Sequence, residues 1–294
     1  MGTLLVGGTA NPALTARLAA ATGWDVAPRE VRRFPDGEVY ARLLEDAKGR
    51  DVAIVQSTHP NDNLVELLLL QDAAREVGAR HITSIIPYFG YARQDRAFQS
   101  GEAVSSRAVA RAIATTADRV VTVDPHKADV LTFFANGGGV SAVPALAEQL
   151  GAWGVDCILA PDRGARDRAA TAAGQLGIAC DHLEKTRLSA TEVRMQAKDL
   201  DVAGQRVAIL DDMIASGSTM MTAAAQLKEQ GATRVYAACT HGLFTDGAVA
   251  RLRAAGIDRV LCTDTLETAG CDVVSAAPAI AAAWVAAPAA RNKA

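Results

Sequence analysis

Residues 207–219 read Val207-Ala208-Ile209-Leu210-Asp211-Asp212-Met213-Ile214-Ala215-Ser216-Gly217-Ser218-Thr219. Four apolar residues lead through two carboxylates and a segment of small and hydroxyl-bearing residues into an Ala-rich run. We therefore predict a buried strand over Arg206-Leu210, a loop, and a helix over Thr219-Glu229. Ligands of open α/β sheets bind beyond the carboxyl ends of such strands, so this loop is the first candidate site.

The same succession occurs about half a chain earlier. Ala53-Ile54-Val55 leads into a helix, and Gly78-Ala79-Arg80 then leads into a strand, as Gly231-Ala232-Thr233-Arg234 does after Ala208-Ile209-Leu210. This internal repeat indicates two tandem copies of one α/β fold. We place the boundary in the Gly-rich region 136–151, which gives domains 1–145 and 146–294, with the last helix free to pack back on the first domain. Any two strand–helix–strand units share some of this pattern.

Short β-branched runs alternate with Ala- and Leu-rich stretches along the whole chain. This alternation predicts an α/β protein of two doubly wound parallel sheets. The predicted strands are Thr3-Val6, Val52-Gln56, His81-Ile86, Arg119-Val123, Val155-Ala160, Arg206-Leu210, Arg234-Ala238 and Arg259-Cys262. The predicted helices include Leu64-Val77, Ser105-Thr115, Ala165-Leu176, Thr219-Glu229 and Gly247-Ala255, several of which end at a glycine that can cap them.

The composition excludes several functional classes. The 294 residues are 50% hydrophobic and 21% charged, which is typical of a globular rather than a disordered protein. A net charge of −3 gives no global attraction to nucleic acid or an anionic membrane, so we predict neither as a partner. Five cysteines, without a C-x-x-C pair, indicate reduced thiols. No leader or membrane span is evident, and we predict a cytoplasmic protein.

The loop after the acidic pair has the chemistry of a sugar-phosphate site. Ser216, Ser218 and Thr219 offer hydroxyl donors, Gly217 allows close approach of backbone N–H groups, and a helix N-terminus favours an anion. Asp211 and Asp212 can accept hydrogen bonds from vicinal sugar hydroxyls or hold a cation. The alternative is an ordinary strand-to-helix turn with an Asp cap.

The corresponding segment of the first copy, Gln56 to Asn63, lacks both the acidic pair and the glycine. The first half instead carries Phe34-Pro35-Asp36-Gly37-Glu38 and Tyr91-Ala92-Arg93-Gln94-Asp95-Arg96. Their aromatic rings can stack on a purine, their acids can accept from an amine or ribose, and Arg93 and Arg96 can pair with phosphate oxygens. Separately, the first segment could be a common turn and the second a solvated face.

Two further polar clusters follow apolar strands. Asp124-Pro125-His126-Lys127 ends one strand, and Pro161-Asp162-Arg163-Gly164 ends another. His126 and Asp162 could share a magnesium ion if both strand ends face one cleft. For a single histidine the default role is a structural hydrogen bond, which we keep for the others: His59, His81, His182 and His241.

Leu183-Glu184-Lys185-Thr186-Arg187-Leu188-Ser189 follows a predicted strand and reads as a loop with two cations at alternate positions. In an extended segment, Lys185 and Arg187 would lie on the same side and could grip a polyphosphate. A pair of solvated surface cations is the alternative.

Together these motifs resemble the ribose-phosphate pyrophosphokinase family through nearly the whole chain, including Pro87 to Arg96 and the loop from Asp211 to Thr219. The resemblance implies two phosphoribosyltransferase-like domains and transfer of the diphosphoryl group of ATP to the anomeric hydroxyl of ribose 5-phosphate. The products would be phosphoribosyl pyrophosphate and AMP.

The resemblance also implies a role for each matched residue. The ATP-binding residues would be Phe34, Asp36, Glu38, Arg93, Gln94 and His126. Phe34, Asp36 and Glu38 would reach a neighbouring subunit's site, which implies a homo-oligomer. His126 and Asp162 would be the residues associated with Mg²⁺, and Lys185 and Arg187 the catalytic cations. The ribose 5-phosphate site would comprise Asp211, Asp212, Ser216, Gly217, Ser218 and Thr219.

This sequence departs from the common form of the sugar-phosphate loop at Ala215, where the family often has an acid, and at Ser218, where it has glycine. Its Glu184-Lys185-Thr186-Arg187 form resembles the shorter archaeal branch. Two alternatives stay open: a non-catalytic regulatory protein associated with the synthetase, and a phosphoribosyltransferase. The presence of Lys185, Arg187 and the acidic pair favours an active synthetase over the regulatory protein. A phosphoribosyltransferase would not explain the motifs of the first half.

Overall fold

The computed structural model describes residues 2–187, 193–197 and 201–286 and divides into two α/β units. Unit 1 contains residues up to Ser141, Thr265–Glu267 and residues from Ser275 onward. Unit 2 contains Ala142–Asp264 and Thr268–Val274. The chain therefore returns to unit 1 twice after the first half of the sequence has ended.

Unit 1 is built on a parallel sheet of six strands with the order β2-β1-β5-β6-β7-β8. Its elements are β1 (Leu4–Gly7), α1 (Pro12–Thr22), β2 (Asp25–Val26), β3 (Arg29–Arg33), β4 (Val39–Leu43), β5 (Asp51–Val55), α2 (Asn61–Glu76), β6 (His81–Ile86), α3 (Ser105–Ala114), β7 (Arg119–Val123), a 3-10 helix (Ala128–Phe133) and β8 (Gly137–Val140). Strands β3 and β4 form a separate antiparallel hairpin that the sequence did not lead us to predict.

Unit 2 is built on seven strands with the order β11-β10-β9-β12-β13-β14-β15. Its elements are α4 (Val143–Ala152), β9 (Cys157–Ala160), a 3-10 helix (Arg163–Ala165), α5 (Arg166–Leu176), β10 (Ala179–Arg187), β11 (Val193–Ala197), β12 (Arg206–Ile214), α6 (Ser218–Glu229), β13 (Arg234–Gly242), a 3-10 helix (Thr245–Gly247), α7 (Ala248–Ala254), β14 (Arg259–Thr263) and β15 (Asp272–Val274). Helix α8 (Ala277–Ala286) then belongs to unit 1.

The two sheets repeat one topology, which confirms the predicted tandem, doubly wound α/β fold. In each sheet, the first strand in chain order (β1 or β9) has two neighbours. One is the next strand along the chain (β2 or β10), and the other is a later strand (β5 or β12). Both sheets therefore reverse their winding at the same place. In parallel α/β sheets such a reversal opens a crevice at the carboxyl ends of the strands.

Helices on both faces bury the central strands completely. Val207 and Ile209 of β12 belong to one apolar cluster, and the alternating Ala208 and Leu210 belong to another. This explains why the strand reads as an unbroken apolar run. None of the helices over the described residues combines the length and apolar content needed to cross a bilayer.

The predicted ends of β12 and β13 and the predicted loop around Lys185 are wrong. Strand β12 continues past Leu210 to Ile214 because Asp211, Met213 and Ile214 pair with the extended β13. The segment that we predicted as a loop around Lys185 is the second half of β10 up to Arg187, which pairs antiparallel with β11. In both cases the segment contains polar residues, so its apolar pattern did not indicate a strand.

Candidate active site

The acidic pair lies inside β12 and not after it. Asp212 is buried, and its backbone N–H donates to Oδ1 of Asp211 over 2.8 Å. Burial and the neighbouring charge of Asp212 raise the pKa of Asp211 to about 7, and Asp162 contributes in the same direction. The site therefore holds a partly protonated carboxyl at neutral pH, and its electrostatics favour a hydroxyl donor or a cation.

The loop after β12 presents its donors to solvent. Gly217 caps α6 in a left-handed conformation with φ of 74°, and Ser216, Ser218 and Thr219 are exposed. The first backbone N–H groups of α6 have no carbonyl partner one turn earlier in the helix and point out of its N-terminus. Exposed hydroxyls and free amides at one helix end form a suitable cradle for a phosphate.

Helix α7 supports this loop, which sequence reasoning missed. Arg251 Nη2 donates to the carbonyl of Ser216 over 3.1 Å. A Cβ on Gly217 would come within 3.1 Å of Leu252 Cδ2, so a larger residue would need Leu252 to shift as well as a left-handed backbone. Neither residue lies near the loop in sequence, and no local motif indicates its role.

Asp162 lies at the end of β9, the strand that pairs with β12. Its Oδ1 accepts from the backbone N–H groups of Gly164 (2.7 Å) and Ala165 (3.2 Å), so it caps the short helix that follows. The side chain is exposed, and its charge acts on Asp211. The structure thus brings Asp162 and the acidic pair together within unit 2.

The backbones of Lys185 and Arg187 lie at the far end of β10, opposite Met195 and Val193 of β11. Leu188 and Ser189, the end of the predicted loop, fall outside the described residues.

In unit 1, the predicted adenine segment forms the turn of the β3–β4 hairpin. Phe34 N–H donates to the Glu38 carbonyl, Glu38 N–H to Asp36 Oδ1 (3.1 Å), and Gly37 has φ of 95°. Phe34, Asp36 and Glu38 are all exposed. The Arg32 guanidinium lies 4.7 Å from the centre of the Phe34 ring. The hairpin therefore projects an aromatic ring and two acids into solvent.

The other predicted ATP residues also lie in unit 1. Gln94 Oε1 accepts from Ser105 Oγ (2.6 Å), and its carbonyl accepts from Ser106 Oγ (2.9 Å), so Gln94 fixes the start of α3. Arg93 precedes it in the turn after Tyr91, whose φ is 66°. His126 follows β7 and is partly buried.

The end of β5, which corresponds to the sugar-phosphate loop of unit 2, is filled by the protein's own polar groups. Gln56 Oε1 accepts from Ala10 N–H (2.9 Å), and a Cβ on Gly8 would lie 2.1 Å from this oxygen. Asn11 Oδ1 accepts from Ser57 N–H (2.8 Å). The polar groups at this strand end of unit 1 are therefore engaged with the protein's own backbone.

Over the described part of the chain, no group of three or more His, Cys, Asp or Glu side chains is arranged to hold a metal ion. The predicted pair is divided between the units, with His126 in unit 1 and Asp162 in unit 2. Within unit 2, the carboxyls of Asp162 and Asp211 have the oxygen donors and the mutual repulsion that a divalent cation relieves.

Comparisons with known proteins cover nearly the whole chain. Residues 3–116 match the family described as the N-terminal domain of ribose phosphate pyrophosphokinase, and residues 158–276 match the phosphoribosyl synthetase-associated domain. The ribose-phosphate pyrophosphokinase of Methanopyrus kandleri is 44% identical over 276 residues, 91% of this chain and 93% of its own. That of Methanosarcina mazei is 43% identical over 282 residues, 95% and 94% of the two chains.

The crystal structure of phosphoribosylpyrophosphate synthetase from Mycobacterium smegmatis is similar along the whole length. It superposes with a TM-score of 0.87 at 32% identity, over 97% of this chain and 98% of that one. The match spans both units and not only the loop of unit 2.

Proposed function

Because the chain belongs to the ribose-phosphate pyrophosphokinase family, we propose that its unit 2 binds ribose 5-phosphate and that its unit 1 supplies groups that bind ATP. The chain is an enzyme that transfers the diphosphoryl group of ATP to the anomeric hydroxyl of ribose 5-phosphate, giving 5-phosphoribosyl 1-pyrophosphate and AMP. This product serves nucleotide and amino-acid biosynthesis. Relatives named as enzymes along both units favour this reading over a regulatory protein or a phosphoribosyltransferase.

The observation that carries the assignment is the contrast between the two copies. In unit 2, an acidic pair and an exposed, glycine-capped helix N-terminus follow one strand. In unit 1, the same strand end is filled by Gln56 and Asn11. Ribose 5-phosphate therefore binds in unit 2, with its phosphate at Ser216, Gly217, Ser218 and Thr219 and its vicinal hydroxyls donating to Asp211 and Asp212.

This placement gives each charged residue a task. The anomeric oxygen attacks the β-phosphorus, the bond between the α- and β-phosphates breaks, and negative charge develops on nonbridging oxygens and on AMP. Lys185 and Arg187 neutralise that charge. They also replace water around the polyphosphate, which protects ATP from hydrolysis.

A metal ion belongs to the chemistry of the family, and we propose that it is Mg²⁺ here. Asp162 offers a carboxylate whose Oδ1 caps the following helix and whose Oδ2 takes no part in that cap. The family resemblance also associates His126 with a metal ion. When bound, the ion would neutralise phosphate charge and orient the polyphosphate. Carboxylate oxygens suit such a hard ion.

The exposed β3–β4 hairpin supports a shared ATP site. Phe34, Asp36 and Glu38 lie on a turn outside the central sheet, where they can reach the active site of a neighbouring copy of the chain. Their aromatic and acidic groups suit adenine and ribose. Arg93 and Gln94 are the further ATP contacts. The enzyme would then be a homo-oligomer.

Replacing Asp212 by Asn tests the assignment of unit 2. We expect the KM for ribose 5-phosphate to rise by tenfold or more, about 1.5–3 kcal/mol, and the KM for ATP to change far less, because the amide loses a charged acceptor for the sugar hydroxyls. Asp258→Asn is the matched control, since Asp258 precedes β14 and binds Lys228 Nζ (2.7 Å) and Arg234 Nη1 (2.6 Å). An effect of Asp212→Asn confined to ATP would assign the pair to the nucleotide.

A further inference from the structure

Unit 2 carries a pair of cysteines that the reaction does not use. Cys262 lies near the carboxyl end of β14, and Cys271 immediately precedes β15. Their sulfur atoms are 3.5 Å apart. The Thr268 hydroxyl lies 3.3 Å from Cys262 Sγ and 3.6 Å from Cys271 Sγ. We propose that Cys262 and Cys271 form a reversible dithiol–disulfide switch beside the sugar-phosphate loop.

The backbone places one thiol on β14 and the other just before the neighbouring strand β15. Strands β14 and β15 pair in parallel with Leu261 opposite Asp272 and Cys262 opposite Val273. Gly270, with φ of 80°, turns the chain into Cys271. A disulfide requires sulfur atoms about 2.05 Å apart, so closure needs an approach of only about 1.5 Å. Cys271 can make this movement because it precedes the edge strand and is only partly buried against the core.

The two thiols differ in exposure and in proton affinity. Cys262 is fully buried, whereas Cys271 is partly exposed. The hydrogen bond from Cys262 lowers the pKa of Cys271 to about 6, and the same bond raises the pKa of Cys262. At pH 7 Cys271 is therefore the accessible thiolate that attacks an oxidant. Cys262 is the resolving thiol.

Hydrogen peroxide is the oxidant class that this arrangement suits. The Cys271 thiolate attacks one peroxide oxygen, the O–O bond breaks, and Cys271 becomes a sulfenic acid while the other oxygen leaves as water after protonation. Cys262 then attacks the Cys271 sulfur, the S–O bond breaks, and a second water leaves. Two thiols and one peroxide thus give one disulfide and two waters, and a dithiol reductant reverses the two-electron change.

Helix α7 connects this pair to the sugar-phosphate loop. Arg253 Nη2 donates to the carbonyl of Gly270 over 2.7 Å, next to Cys271. Two residues earlier, Arg251 donates to the carbonyl of Ser216. Leu252, between them, packs against Gly217. Closing the disulfide moves Gly270 and hence displaces α7, which changes the phosphate cradle. This link rests on the function that we propose for the loop.

Cys180 is an internal control for the reactivity of Cys271. Cys180 is exposed, but desolvation of its thiolate and the adjacent Asp181 raise its pKa. Exposure alone would make Cys180 the most reactive thiol. The proposed switch requires Cys271 to react first.

Peptide mapping after oxidation tests the site. The protein is treated with hydrogen peroxide at pH 7, blocked with N-ethylmaleimide, digested and analysed by mass spectrometry. We expect a peptide crosslinked through Cys262 and Cys271 that dithiothreitol removes, in the wild type and in Cys180→Ser. We expect Cys262→Ser to stop at a dimedone-reactive sulfenic acid on Cys271. The pH dependence of alkylation by iodoacetamide can be measured on the wild type, so this test does not depend on the folding of a variant. The alkylation rate of Cys271 should rise with a midpoint near pH 6, and that of Cys180 should rise at higher pH.

Preferential oxidation of Cys180 without a crosslink would overturn the proposal. Kinetics on the same samples test the link to the loop. The KM for ribose 5-phosphate should change threefold or more in the oxidised protein and return after reduction, with no change in Cys271→Ser treated in parallel. A crosslinked enzyme with an unaltered KM would overturn the switch. The outcome of Asp212→Asn separates this failure from failure of the loop assignment itself.

Discussion

At the scale of single residues, Asp211 carries the clearest electrostatic signature of the site. Its folded pKa of about 7 exceeds that of an unfolded aspartate, so between about pH 4 and pH 7 the folded protein binds a proton that the unfolded chain has lost. Stability must therefore fall as the pH rises through this window, and the whole penalty remains above it. The substrate or a cation would relieve this penalty on binding.

We predict that Asp211→Asn changes the free energy of unfolding of the ligand-free protein more favourably at pH 8 than at pH 4, by about 1–3 kcal/mol. The reason is that the neutral amide removes the cost of ionising a buried carboxyl. Urea unfolding at the two pH values measures the difference. Asp258 provides a control of opposite sign: hydrogen bonds from Lys228 and Arg234 outweigh desolvation and lower its pKa, so Asp258→Asn should destabilise the protein at pH 8. An equal effect of Asp211→Asn at both pH values would show that Asp211 ionises normally.

The sequence was sufficient to predict which residue types gather at this site, but not the proton affinity of Asp211. Two adjacent acids after an apolar run indicate a polar strand end. Whether either is protonated depends on burial and on Asp162, which is brought near by the pairing of β9 with β12. Such long-range effects leave no local trace in the sequence.

At the scale of secondary-structure elements, the phosphate loop depends on α7 as much as on its own residues. Gly217 needs a positive φ and also has Leu252 against the position where a Cβ would stand. The helix thus fixes the direction in which the first amides of α6 point. This support is consistent with a preformed loop, as the anion site that we propose requires.

We predict that Gly217→Ala lowers stability by more than the roughly 1–2 kcal/mol expected for a left-handed alanine, and raises the KM for ribose 5-phosphate at least tenfold. Gly177→Ala is the matched control, because Gly177 has φ of 65° with open space around it. Thermal unfolding and steady-state kinetics compare the two variants. Adding Leu252→Ala should recover part of the loss in Gly217→Ala, and equal behaviour of the two single variants would contradict a role for α7.

The ends of elements were harder to predict than their existence. The apolar centres of β5, β6 and β7 were recognisable because both faces are buried. The β3–β4 hairpin was missed because its alternation is broken by arginines that stack and pair at the surface, such as Arg32 on Phe34 and Arg33 with Asp62. The extension of β10 was missed because its partner β11 follows a separate polar stretch.

At the scale of the whole molecule, one topology is used twice with two outcomes. The repeat between Ala53-Ile54-Val55 and Ala208-Ile209-Leu210 was sufficient to predict the duplication, since these apolar strands lie at equivalent places in the two sheets. Which groups occupy the carboxyl end of each strand was only partly predictable. The absence of an acidic pair and of glycine from 56–63 was visible in the sequence, whereas the hydrogen bonds that Gln56 and Asn11 make there required the fold.

The exposed hairpin leads to a prediction about assembly. Phe34→Ala should weaken ATP binding by roughly 1–3 kcal/mol through lost stacking, and Lys185→Ala should lower kcat on the order of a hundredfold. If neighbouring copies share a site, mixing the two inactive variants places both defects in some sites and leaves others intact. Activity should return in the mixed oligomer, measured by AMP release after subunit exchange. Proven exchange without recovery, together with a fully active monomer in sedimentation, would contradict the shared site.

The central claim is that one chain joins ribose 5-phosphate to the diphosphoryl group of ATP, and ³¹P NMR of the reaction tests it most directly. With ATP, ribose 5-phosphate and Mg²⁺, we predict equal amounts of AMP and of a sugar that keeps its 5-phosphate and carries a diphosphate on the anomeric oxygen, whose two phosphorus atoms derive from the β- and γ-positions of ATP. Without the sugar, ATP should remain intact. Formation of ADP with a single phosphate on the anomeric oxygen, or AMP release without ribose 5-phosphate, would contradict the account.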